Sequence, residues 1–150
     1  MSQILLINGP NLNLLGTREP HLYGAQSLAD IEKSMVHAAG KLGHTLSGFQ
    51  SNHEGELVQR VQDAKREGVA FILLNPGGYT HTSVALGDAL VGVARPYVEV
   101  HLSNVFARES FRHHSYLAAA AAGVVSGFGA ESYRLGLRGL VARLTSDSGG

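Results

Sequence analysis

A doubly wound α/β domain built on one parallel sheet of five strands is the fold class this 150-residue chain predicts. Three observations carry that prediction. Short apolar runs alternate with segments of helical periodicity. No hairpin signal joins any two of the runs. The intervening segments also have the length that crossovers between parallel neighbours require. The chain fits one catalytic-sized domain, 1–150, large enough to bury its own core without a disulfide or structural metal.

The elements follow in order. Residues 4–7 are wholly apolar and close on Asn8-Gly9-Pro10, as a strand buried on both faces does. Residues 11–26 carry no apolar period and are rich in Gly, Pro and Asn, so they read as a long loop of functional type. Ser27 with Asp30 forms a capping box for a helix whose stripe is Leu28, Ile31, Met35, Ala38 and Leu42, stopped at Gly43. A weak strand is expected over 44–50. Ser51 with Glu54 reads as a second capping box, opening a helix to Gly68. The strongest strand lies over 69–74, followed by a helix over 82–94 and a strand over 97–102. A polar loop, an alanine-rich segment at 117–122, a short strand at 124–127 and a helix over 131–144 complete the chain, with a frayed tail at 146–150.

Composition excludes several functions. Twelve basic residues balance twelve acidic ones, which disfavours a nucleic-acid partner. The absence of cysteine removes thiol nucleophiles and Cys-ligated zinc. The N-terminus has no basic segment ahead of its four-residue apolar run, and no stretch is long enough to span a bilayer, so a soluble cytoplasmic protein is expected. Among the basic residues nine are Arg and three are Lys, a skew that bears on mechanism below.

In open α/β sheets ligands bind beyond the C-terminal strand ends. Those ends carry Asn8, then Asn11 and Asn13; Asn75-Pro76-Gly77-Gly78; and His101 with Ser103. The glycine pair before a helix is either an anion nest or a plain turn with a Thr or Ser cap. With no Gly-Lys-Ser/Thr and no GxGxxG, neither a nucleotide loop nor a dinucleotide site is indicated. Glu99 and His101 share one side of a strand, which suits a carboxylate orienting a general acid or base, or else a polar strand face. Arg108 and Arg112, four apart, would share a face on a helix and could hold a carboxylate, or else form a solvated basic face. His113-His114 point apart on a helix and are not read as metal ligands. Arg18 and Tyr23 lie in the long loop, where a nearby cation would lower a phenol from about 10.

Taken in order, these motifs resemble the type II 3-dehydroquinate dehydratases (type II dehydroquinases). The matching segments are Asn8 to Gly16, Arg18-Glu19-Pro20 with Tyr23-Gly24, and Ser51 to Glu56. They continue with Asn75-Pro76-Gly77, Tyr79 to Leu86, Glu99 to Asn104, Arg108-Glu109 and Phe111 to Ser115. The resemblance implies a flavodoxin-like fold and anti elimination of water from 3-dehydroquinate through an enolate, giving 3-dehydroshikimate in the shikimate pathway of aromatic amino acid biosynthesis. It implies Tyr23 as base, Arg18 on a mobile lid (11–26) holding the tyrosinate, and Asn11 as an enolate stabiliser. His101 becomes the general acid, oriented by Glu99. Asn75, His81, Leu102, Ser103 and Arg112 become the substrate clamp, with Arg108 in support and Asp88 reaching a neighbouring subunit's site. A homododecamer, arranged as a tetramer of trimers, follows from the same resemblance, with no cofactor and no metal.

The lysines separate this chemistry from its rival. A Schiff-base dehydratase needs a desolvated lysine, and Lys33, Lys41 and Lys65 all fall on predicted solvated helix faces. Four positions depart from the family pattern: Gly78, Gly87, Phe106 and Ser110. Of these, Gly87 bears on subunit contacts near Asp88, and the last two on the loop before Arg112. Two other readings are a flavodoxin-like module binding phosphate or flavin at the glycine turn, and a scaffold retaining the fold without activity. Neither explains Arg18, Tyr23 and His101 together.

Overall fold

The computed structural model describes residues 1–17 and 26–149, with side chains through Thr145. Five strands form one all-parallel sheet: β1 (Gln3–Asn8), β2 (Thr45–Gln50), β3 (Phe71–Asn75), β4 (Tyr97–His101) and β5 (Gly123–Ser126). Their spatial order is β2-β1-β3-β4-β5, the flavodoxin-like order, which reverses direction between β1 and β3. The helices are α1 (Leu28–Lys41), α2 (Glu54–Arg66), α3 (Val84–Val93) and α4 (Glu131–Gly149).

Strand alternation divides the core into two layers. Leu5, Ile7, Ile72 and Leu74 pack under α2 and α3 with Leu57, Val61, Leu86 and Leu90. Ile4, Leu6, Leu73, Val98 and Val100 pack under α1 and α4 with Ile31, Met35, Tyr133, Leu137 and Leu140. Helices therefore cover both faces, which is why the central strands read as unbroken apolar runs.

Local chemistry explains most boundaries. Ser27 accepts from the Asp30 N–H while Asp30 accepts from the Ser27 N–H, so the capping box forms as expected. The second expected box does not form. Ser51 Oγ instead accepts from the His53 N–H and donates to Glu56 at 2.6 Å, and α2 starts at Glu54 without a side-chain cap. Ser83 caps α3, accepting from the Leu86 N–H at 2.9 Å. The last helix continues past Leu144 to Gly149. Arg108 and Arg112 do not share a helix: Arg108 follows a short 3-10 turn (Val105–Ala107), and Arg112 lies within a second (Ser110–His113). Neither turn buries a residue, so the segment has no packed apolar face to support an α-helix. No helix among the described residues is long and apolar enough to cross a membrane.

Two glycines bring the loops after β1 and β3 together. A Cβ on Gly9 would lie 2.4 Å from the Pro76 carbonyl oxygen, inside contact distance. Gly77 has φ of 58° and lies against Pro10, so it combines left-handed backbone with close approach. The Gly9 N–H then donates to the Asn75 carbonyl at 2.8 Å.

Candidate active site

The register sets the site. Asn8 lies beside Asn75 and Gln50, while Glu99 lies beside Leu74 and His101 beside Ser126. Polar residues thus line up across the C-terminal edge of the sheet, and at its β4–β5 end, without Asn8, Gln50 or Asn75 in the lining, a cavity of about 630 Å³ opens. Its wall includes His81, Glu99, His101, Arg112, His113 and Ser115.

Glu99 and His101 form a buried dyad. The period of two places both on one side of β4, and Glu99 Oε2 lies 2.5 Å from His101 Nε2. A carboxylate only accepts, so Nε2 carries the proton and Nδ1 is the nitrogen left for a ligand. Burial pushes the Glu99 carboxyl up. Hydrogen bonds from His101 and Thr80, the charge of His101 and a hydrogen bond from Ser115 outweigh it, and the carboxyl is held below its ordinary value. Glu99 therefore stays ionised beside the imidazole of His101.

His81 stacks on His101, with centroids 6.4 Å apart and planes within 15°. Its Nδ1 lies 2.8 Å from the His114 carbonyl, which only accepts, so Nε2 of a neutral His81 is an acceptor for a hydroxyl. Arg112 is held on two sides: its Nε donates to Glu109 at 2.5 Å, and its guanidinium lies 4.8 Å from the Phe111 ring centre. That grip leaves the Nη edge for an anion. Arg108 does not line the cavity and is exposed; its carbonyl accepts from His113 Nε2 at 3.1 Å. The two adjacent histidines accordingly brace the loop.

Asn75 is fixed from both ends. Its Oδ1 accepts from the Gly77 N–H at 3.2 Å, and its Nδ2 donates to the Tyr133 hydroxyl at 2.9 Å. Tyr133 in turn donates to Asn8 Oδ1 at 2.5 Å. The Gly77 N–H can only donate, so it sets the direction of the whole relay. It also occupies the first amide of the glycine turn in a turn rather than a nest. We predict that Tyr133→Phe, which strands two buried amides, lowers stability by about 2 kcal/mol and Tm by about 4–8 °C. A thermal melt checks this, and an unchanged Tm would contradict the relay.

Asn11 has φ of 70°, and its N–H donates to Asn52 Oδ1 at 2.9 Å. Leu102 and Ser103 follow β4 directly, anchored through carbonyls that accept from the Gly129 N–H and from Ser126 Oγ. Asp88 is exposed on α3, away from this cavity, between exposed Val84 and Val91. Arg18 and Tyr23 lie outside the described residues. Of the departures, Gly78 has open space where a Cβ would sit, whereas Gly87 packs against the Tyr116 carbonyl, 3.2 Å from an added Cβ. Phe106 is exposed and its ring meets His113 at 5.7 Å. Ser110 opens the 3-10 turn that carries Arg112. Sequence reasoning did not assign Thr80, Ser115 or Tyr133. Tyr133 reads as one more apolar position of a helical stripe, and its hydroxyl partners lie on distant strands.

The doubly wound fold thus places a carboxylate–imidazole dyad at the end of β4 and Arg112 in the wall of the same cavity, groups able to exchange a proton and to bind an anion. The family model described as "Dehydroquinase class II" matches residues 2–141. A 3-dehydroquinate dehydratase of Xanthomonas campestris pv. campestris (strain B100) is 58% identical over 148 residues, covering 99% of this chain and 100% of that one. One from Xylella fastidiosa (strain M23) is 57% identical over 147 residues, 98% of this chain and 99% of its own. The crystal structure of type II dehydroquinase from Butyrivibrio crossotus DSM 2876 superposes with a TM-score of 0.89 at 38% identity, covering 93% of this chain and 97% of that chain. The chain belongs to the dehydroquinase class II family.

Proposed function

We propose that this protein dehydrates 3-dehydroquinate to 3-dehydroshikimate, acting as a hydro-lyase in the shikimate pathway. The observation that carries the reading is the Glu99–His101 dyad, opening on a cavity that also presents His81 and Arg112. The substrate is a hydroxylated cyclic ketone with one carboxylate, and the site offers an acid, a hydroxyl acceptor and a cation.

The elimination then runs in two steps. Tyr23, as phenolate beside Arg18, takes the proton on the carbon next to the ketone, and the electron pair becomes an enolate that Asn11 stabilises. The enolate collapses, forming the ring C=C bond as the C–O bond to the departing hydroxyl breaks. His101 supplies a proton to that oxygen, and water leaves. Glu99 stabilises the imidazolium beforehand. Asn75, His81, Leu102, Ser103 and Arg112 hold the substrate, and Arg108 acts in support through the loop it closes. The test is direct: the product is conjugated, so wild-type protein given 3-dehydroquinate produces a rise in ultraviolet absorbance. No rise from folded protein would overturn the assignment.

Lys33, Lys41 and Lys65 are all exposed, on α1 and α2. Borohydride added during turnover is therefore expected to leave activity intact, because no imine forms. A reduced adduct on any lysine, detected by mass spectrometry, would contradict the enolate route.

The assembly belongs to the same proposal. Asp88 sits on α3 between exposed Val84 and Val91, each about one turn from it, as an interface residue does. We read it as reaching a neighbouring site within a trimer, four of which make the homododecamer. Sedimentation is expected to give a homo-oligomer, and Asp88→Ala to raise KM several-fold; a fully active monomer would refute this. A cytoplasmic location is part of the same reading. The phosphate- or flavin-binding module has no observation in its favour, since it leaves the dyad unexplained.

A further inference from the structure

The environment of Glu99 carries an inference beyond the dyad itself. Thr80 is 1% exposed, and its Oγ1 lies 2.7 Å from Glu99 Oε2, the same oxygen that holds His101. Ser115 Oγ lies 2.8 Å from Glu99 Oε1 and 2.8 Å from Thr80 Oγ1. Ser115 Oγ also accepts from the N–H groups of Leu117 and Ala118, at 3.0 and 3.1 Å.

Counting protons resolves this triangle. Two backbone donors fill both lone pairs of Ser115, so Thr80 cannot donate to it. Thr80 therefore gives its proton to Glu99 Oε2. The Ser115 proton has two acceptors, Glu99 Oε1 and Thr80 Oγ1. Given to Thr80, it strengthens the Thr80 bond to Oε2 through the chain of hydroxyls; given to Oε1, it draws charge to the far oxygen. Both arrangements reduce the negative charge with which Oε2 faces His101.

We propose that Thr80 and Ser115 are positioning residues that set how tightly Glu99 holds His101, and so how readily His101 gives up its proton. This rests on the role of His101 as general acid. An acid held too tightly by its carboxylate is a weaker acid, so the hydroxyl pair keeps the dyad fit for donation. Other groups facing it are the stacked ring of His81, Tyr97 on the same strand, and Arg112, His113 and His114 along the cavity. The Tyr97 phenol is pushed up to about 12, first by burial and then by the Glu99 charge, and its hydroxyl donates to the Leu117 carbonyl. The Thr80 hydroxyl bonds Glu99 and Ser115 and none of these groups.

The experiment compares Thr80→Val, which keeps the volume and loses the hydroxyl, with Thr80→Ser, which keeps the hydroxyl. The His101 ring is followed by NMR against pH in the free protein and identified by its loss in His101→Gln. In Thr80→Val, His101 is expected to keep its proton about one pH unit higher, with kcat lowered about tenfold and KM little changed. Thr80→Ser is expected to follow the wild type in all three. A His101 titration unmoved by Thr80→Val, or moved equally by Thr80→Ser, would overturn the proposal, even if Tm fell. Should Thr80→Val fail to fold, Thr80→Ala is compared with Thr80→Ser in the same way. The titration needs no substrate, so absence of turnover in the wild type would refute the dehydratase reading and leave this result standing.

Discussion

His101→Gln is expected to lower kcat on 3-dehydroquinate by about 10²–10⁴, the range a positioned general acid supplies. Glutamine keeps a donor near Glu99 and approximates the imidazole volume, so the fold should persist. What it cannot supply is a titrating nitrogen toward the cavity. The geometry makes that nitrogen Nδ1, because Nε2 is held at 2.5 Å by the carboxylate. Binding should suffer less than chemistry, since His81 and Arg112 remain in the cavity wall. The measurement is kcat and KM from the absorbance assay, with circular dichroism to verify folding. A variant with wild-type kcat would remove His101 from the mechanism and leave the dyad a packing feature.

Tyr23→Phe should cost at least as much, about 10³-fold or more in kcat, because it removes the group we propose as the base. The reasoning is chemical. In the proposed mechanism the dyad at the end of β4 gives a proton, with an ionised carboxylate behind the imidazole. Removing a proton next to a ketone calls for a second group of opposite function. A phenol does this near neutral pH only as phenolate, and each unit by which its pKa is lowered corresponds to about 1.36 kcal/mol of preferential stabilisation. In the proposed mechanism Arg18 supplies the cation, so Arg18→Ala should reproduce most of the loss and move the acid limb of the pH–rate profile upward. If Tyr23→Phe turned over normally, another group would have to be the base.

Periodicity made the fold legible. Residues 4–7 and 69–74 could be read as strands because helices cover both sheet faces, so no polar alternation interrupts them. Boundaries moved by a few residues where hydrogen bonding overrode pattern. Ser51 is the clearest case: beside Glu54 it looks like a cap, but its hydroxyl is engaged by Glu56 and the His53 N–H. The helical reading of the Arg108–Arg112 spacing failed for a related reason. Four-residue spacing indicates a shared face only if the backbone is α-helical, and this loop is made of two 3-10 turns.

The candidate site divides along the same line. Glu99 and His101 could be paired from the chain alone, since two residues of one strand in period two need no other element to meet. Of the arginines singled out in the sequence, the structure places Arg112 in the cavity wall and Arg108 outside it, while all three lysines lie out in solvent. Thr80, Ser115 and Tyr133 could not be found that way. Thr80 meets Glu99 across nineteen positions, Ser115 across sixteen, and Tyr133 meets Asn8 across 125. Local sequence encodes spacing along an element, and it carries no record of which hydroxyl the folded chain will bring against which carboxylate. The primary sequence therefore settled the layers, the crossover topology and the dyad. Packing settled the proton directions around that dyad, because those depend on donors and acceptors that only close approach of distant strands and loops can supply.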